Sequence, residues 1–162
     1  MFSYIVHVIK WLHQIRIRRY KMITRFKPQI NIPYSLHDMI VSNITYKNES
    51  IYLEFNHEYA NTKDPHSQVE GQIIIENADI DSACVLLLSK LGKYGSFKGM
   101  KISLDDFIEK YGECSFEIID EMYGFNQVEY IGYLHSPKDN DSIQMSLSMY
   151  FNGDIVYETE ES

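Results

Sequence analysis

Polar and apolar positions alternate most cleanly near the end of the chain. From Ser142 to Phe151 the residues Ile143, Met145, Leu147, Met149 and Phe151 alternate with Ser142, Gln144, Ser146, Ser148 and Tyr150. Side chains two apart share one face of a strand, so this predicts a strand with one face on a core. Asn152-Gly153 then predicts a tight type I′ hairpin, with Asp154 to Glu158 as the returning strand. The same period recurs in Ile51, Leu53 and Phe55, set against Tyr52 and Glu54. With Asn43 to Tyr46 before it and Lys47-Asn48-Glu49-Ser50 between, this reads as a second hairpin. Gln29 to Ile32 alternates and stops at Pro33, a short strand. Val69 to Glu76 contains Ile73-Ile74-Ile75 and reads as a central strand buried on both faces. Cys114 to Met122 and Gln127 to Leu134 read as strands joined through Gly124-Phe125-Asn126, and residues 56–68 and 135–141 as polar loops.

Helical spacing is rarer. Leu104, Phe107, Ile108 and Tyr111 form an apolar stripe behind Ser103, an N-cap residue with Asp106 three positions on. Ile102 and Phe107 stand at the two positions of a hydrophobic staple. Asp105 and Asp106 suit the positive end of the dipole, Lys110 suits the negative end, and Gly112 closes the helix. Ser35 to Val41 reads as one helical turn with Ser35 as N-cap. Residues 80–91 fit both a capped helix and a buried strand, and the strand over 83–88 is preferred.

Residues 1–26 differ from the rest. Ile5, Val8, Ile9, Leu12 and Ile15 recur at helical spacing, with Lys10, Gln14 and Arg18 on other faces. This predicts a basic amphipathic helix. Its uncharged run is far shorter than the ~20 residues of a membrane span. Its charges follow the apolar stretch, unlike a secretion signal. Three readings stay open: it packs on the domain, it meets a membrane surface through residues 1–20, or translation starts at Met22. The expected organisation is a segment over 1–26 and a single β-rich acidic domain over 27–162. The expected class is α+β, mostly antiparallel β. The sheet is curved, a sandwich or a partly open barrel, with one short helix at about 104–111 and the N-terminal helix.

Charge sharpens this picture. The 162 residues carry a net −8. Residues 1–37 hold seven Lys and Arg and no carboxylate, and the remainder holds eight Lys against all 23 Asp and Glu, a net −15. Such a field repels nucleic acid and draws basic partners. Thirteen Tyr and eight Phe favour strands. Cys84 and Cys114, each beside apolar neighbours, read as two buried thiols in a reducing compartment, which places the protein in the cytoplasm.

Candidate chemistry is sparse. His57, Asp64 and His66, with Glu58, are the one cluster of metal-type ligands, and His57 stands on the core-side parity of its strand. His37-Asp38 pairs a ring with a carboxylate, but neighbours in a regular element point apart, so Asp38 reads as a local cap. Gly92, Gly95 and Gly99 punctuate a loop with Lys93, Lys98, Lys101, Tyr94 and Phe97, and their spacing matches no phosphate-binding fingerprint. Of the acidic pairs Asp105-Asp106, Asp120-Glu121 and Asp139-x-Asp141, the first is used by the helix start and the last lacks the Gly and distal Glu of a calcium loop. No serine-hydrolase, zinc-protease or Cys/His signature occurs, and no pattern asks for a cofactor. In composition alone, the chain is similar to small acidic β-rich bacterial proteins, toxin-neutralising immunity proteins among them. The expectation is a non-catalytic module whose acidic surface binds a basic protein. The alternative is a small-molecule or metal-dependent enzyme with a site in a sheet cavity near the 56–68 loop.

Overall fold

The computed structural model describes residues 31–62, 68–90, 98–136 and 142–160. They form eleven strands and one helix: β1 (Tyr34–Ser35), β2 (Met39–Lys47), β3 (Ser50–Phe55), β4 (Tyr59–Asn61), β5 (Gln68–Ile75), β6 (Cys84–Lys90), β7 (Met100–Ser103), α1 (Leu104–Tyr111), β8 (Ser115–Gly124), β9 (Gln127–His135), β10 (Ser142–Tyr150) and β11 (Ile155–Glu160). Every ladder is antiparallel, in the order β1-β4-β5-β3-β2-β8-β9-β10-β6-β7. β11 lies off this path and pairs with β5. The sheet is open rather than a closed barrel, mostly antiparallel, with one short helix. The expected N-terminal helix and residues 29–30 lie outside the described residues.

Period-2 patterning decides which face is buried. On β9, Val128, Tyr130 and Leu134 point inward, and on β10 Met145, Leu147 and Met149 do so. Ile51 and Leu53 of β3, Ile73 and Ile75 of β5, and Val85 and Leu87 of β6 join them in one core cluster. Each such side chain contributes about 1.5–3 kcal/mol by leaving water. β5 is flanked on both sides, since Ile75 pairs with Ile51 and with Ile155. The expected central strand is therefore present, although Ile74 is half-buried. α1 covers the sheet with Leu104 and Phe107. Its start is as the sequence reads: the Asp106 N–H donates to Ser103 Oγ at 3.2 Å. Gly112 ends it in right-handed geometry (φ −60°), not the left-handed cap. A Cβ there would lie 2.8 Å from the Ile108 carbonyl oxygen.

Four expectations are corrected. The helical turn over 35–41 does not form. Tyr34–Ser35 is β1, Asp38 turns the chain at φ 64°, and β2 begins at Met39. Long-range bonding outweighs the local cap here: the Asp38 N–H donates to the Ile118 carbonyl at 2.8 Å, and Leu36 is fully buried. Asn31 and Ile32 are not strand. The 56–68 loop contains β4, which pairs with β5 through Tyr59↔Val69. Asn152-Gly153 is not a hairpin, because β11 pairs with β5 and not with β10. Instead β5–β6 and β10–β11 form one long ladder, from Glu70↔Glu160 through the bridge Ala78↔Phe151 to Ile143↔Lys90. The chain bends where this ladder passes from one part of the sheet to the other.

A bulge in β8 has the widest consequence. Between Ile118 and Asp120 the register with β9 shifts by one residue. Phe116 and Ile118 are buried before it, while Glu121 and Tyr123 are half-buried and Asp120 and Met122 exposed after it. Inward parity thus passes from even to odd numbers, as one extra residue requires. Opposite the bulge stands Gly132, where a Cβ would lie 1.8 Å from the Glu117 carbonyl oxygen.

Candidate binding surface

His57 is exposed just beyond β3, and Asp64 and His66 lie outside the described residues. Among the described residues no group of three or more His, Cys, Asp or Glu is placed to hold a metal ion. Lys98 and Gly99 are exposed, and residues 91–97 of the glycine-punctuated loop lie outside the description. Cys84 and Cys114 are half-buried rather than fully buried. Among the described residues no helix is long and apolar enough to cross a membrane.

His37 and Asp38 do meet, contrary to expectation. Nε2 lies 3.4 Å from Asp38 Oδ1, because the left-handed backbone at Asp38 breaks the alternation that would send the two side chains apart. Nδ1 contacts the Ile119 carbonyl oxygen at 2.5 Å, at the β8 bulge. This hydrogen bond, then Asp38, with Asp120 and Glu121 beyond, raises the ring's pKa above its usual 6.5.

The bulge also splits the Asp120-Glu121 pair. Glu121 turns inward and accepts from the Leu36 N–H and the Tyr123 hydroxyl, both at 2.6 Å. Tyr123 and Tyr157 hydroxyls stand 3.5 Å apart, and Tyr34 packs on Tyr157 with ring centroids 5.0 Å apart. Tyr130 is fully buried, and its hydroxyl has no hydrogen-bond partner among the described residues. Burial pushes the Tyr123, Tyr130 and Tyr157 hydroxyls upward, with neighbouring Tyr and Glu121 charges adding to it. Neutral tyrosines around one satisfied carboxylate hold β1, β8, β9 and β11 together. They offer no group ready to exchange a proton near neutral pH.

On the outer face, His135 joins three strands. Nδ1 lies 2.9 Å from Ser142 Oγ and Nε2 lies 3.0 Å from Glu117 Oε2. A serine, a histidine and a carboxylate in hydrogen-bonded series resemble an activated nucleophile. Ser142 pairs with His135 in the ladder with β9, and Ile143 pairs with Lys90 in the ladder with β6. A surface depression of ≈ 370 Å³ beside it is lined by Asn56, Cys114, Ser115 and His135 among others. Space between α1 and the sheet, lined by Val41, Ile44, Phe107 and Phe116, is only ≈ 20 Å³, room for about one water.

One end of the sheet gathers its tight links. The Ala78 N–H donates to the Glu49 carbonyl at 2.8 Å, and the Glu76 N–H to Asp154 at 3.0 Å. Asn152 N–H donates to Asn77 at 3.0 Å, Asp79 N–H to Tyr150 at 2.8 Å, and Phe151 N–H to Asn126 at 3.1 Å. These bonds bring Glu49, Glu76, Asp79 and Asp154 to the same end, with Asp81 close in sequence. Lys47 is there too, its ammonium 4.1 Å from the centre of the Tyr52 ring. Three of the five exposed large apolar side chains among the described residues belong to the neighbouring strand ends: Met122 (47%), Phe125 (94%) and Tyr150 (45%). Met122 and Tyr150 flank Gln127 and Glu129 on the outward face, through Met122↔Glu129 and Tyr150↔Gln127. In the sequence Phe125 reads only as part of a turn. Its signal was a bulky apolar ring where turn chemistry asks for a small or polar residue.

Compared with known proteins, the chain matches no family model, no curated protein and no solved structure.

Proposed function

We propose that the chain is a non-catalytic protein-binding module, immunity- or inhibitor-like, that engages a basic partner protein through its acidic surface. The observation that supports this reading is the balance of exposed charge. Among the described residues fourteen Asp and Glu are exposed against four Lys. A field of one sign speeds encounter with the opposite sign and discourages acidic partners. Nucleic acid is disfavoured on the same ground. The test is a selection from a displayed library of random peptides on the immobilised protein. Enrichment of Lys- and Arg-rich sequences whose binding weakens with added salt is the expected result. Enrichment without charge preference would remove the reading.

The Ser142–His135–Glu117 series is the observation that favours an enzyme instead. Hydrolysis of p-nitrophenyl acetate that is lost in Ser142→Ala would support that reading.

A further inference from the structure

We infer that a basic partner docks on the end of the sheet that carries the tight links, with Phe125 as the anchor that enters an apolar pocket of that partner. The inference rests on the protein-binding reading and adds a place and a geometry to it.

Phe125 is 94% exposed, so nearly the whole ring faces water. Fold geometry does not call for it. Gly124 pairs with Gln127 across a two-residue turn, and Asn126 supplies the left-handed φ of 52°. Small polar residues satisfy such a turn. The ring is also presented on a fixed base, because the Asn126 carbonyl accepts from the Phe151 N–H at 3.1 Å. A rigid aromatic anchor loses little conformational freedom on binding, which is what interface hot spots exploit. Met122 and Tyr150 stand on the same outward face, and both residue types are enriched in interface centres.

The surroundings select the occupant. Glu129 lies between the apolar side chains, and Glu49, Glu76, Asp79 and Asp154 rim the end of the sheet. A second copy of the chain would set this acidic rim against itself in a two-fold interface, so like charges would oppose it. An anionic membrane is repelled for the same reason. What complements the surface is a protein with an apolar pocket ringed by Lys and Arg.

The experiment uses the basic peptides selected on the full chain, measured against three variants. Phe125→Ser should weaken them by about tenfold or more, and Phe125→Leu by less. Glu54→Gln with Glu70→Gln, further along the sheet, should change affinity less than about twofold. Thermal unfolding of Phe125→Ser should match the parent, since an exposed side chain contributes little to stability. Basic peptides that bind Phe125→Ser as tightly as the parent would overturn this inference and leave the binding-module reading standing. A selection that yields no basic peptides would overturn both.

Discussion

The links 47–50 and 151–154 both contact the 76–79 segment, yet they turn the chain in different ways. In the first, Asn48 and Glu49 adopt φ of 50° and 57°, and Lys47 pairs with Ser50. This is a two-residue hairpin of the left-handed kind, built without glycine. In the second, neither Asn152 nor Gly153 has a left-handed φ, and the strands on either side do not pair with each other. The chain instead bends from its ladder with β6 into its ladder with β5. Six register pairs from Ile155↔Ile75 to Glu160↔Glu70 reward the bend. At about 1 kcal/mol for each hydrogen bond, they outweigh the small preference of an Asn-Gly pair for a type I′ turn. A turn signal is decisive only where the flanking strands have no better partner.

The contrast can be broken at the positions where distant backbone overrides local preference. Gly132→Ala should have the largest effect. Its Cβ would collide with the Glu117 carbonyl, so denaturant unfolding should show a loss of more than about 4 kcal/mol. A loss under 1 kcal/mol would mean that the bulge in β8 does not need this close approach. Gly153→Ala comes next, at about 2–3 kcal/mol, because a Cβ would lie 2.8 Å from both the Cβ and the carbonyl oxygen of Glu76. A neutral result would argue that the 151–154 corner is loose.

The locally governed regions sharpen the contrast from the other side. Ser103→Ala removes the acceptor of the Asp106 N–H and should cost about 1 kcal/mol, read from the same unfolding curves. Glu49→Gly should raise stability by about 0.5–1 kcal/mol, because a left-handed φ strains a residue with a Cβ. A loss there would show that the Glu49 side chain contributes more than its backbone strain removes.

The smallest effect concerns His37, at a turn set by β8. Its pKa in the folded protein is raised, so the protonated ring favours folding. That contribution is complete below the unfolded value of about 6.5 and is lost as pH rises through the folded value. An NMR titration should place the His37 midpoint above 6.5. Asp38→Asn should lower that midpoint, though the Ile119 hydrogen bond keeps part of the shift. A wild-type midpoint at or below 6.5 would contradict the contacts with Ile119 and Asp38.

Most strands and α1 were legible because their cause is local. Alternation in 142–151 and 51–55 states which face is wet, and Ser103 with Asp106 states where a helix begins. The corner at 151–154, the turn at Asp38 and β4 were not legible, since their partners lie far along the chain. Gly132 was the available sign of the bulge: an isolated glycine inside an apolar strand marks a close backbone approach. Without the bulge the even parity of Phe116 and Ile118 continues, and Glu121 is read as solvent-facing. The proposed binding surface was legible only as net charge. Its place depends on which turns share an end of the sheet, and one sequence does not state that pairing.

The long ladder between 68–90 and 142–160 also sets the order of assembly. Ile73 to Ile75 gain β3 from nearby residues, but their other edge meets Ile155–Tyr157 only across some eighty residues of chain. Local hairpins can therefore close early, while this seam closes late and slowly. Until it does, three isoleucines present an unpaired edge that a neighbouring molecule can extend. Removing β11, residues 155–160, should consequently leave a chain that aggregates as it emerges from synthesis.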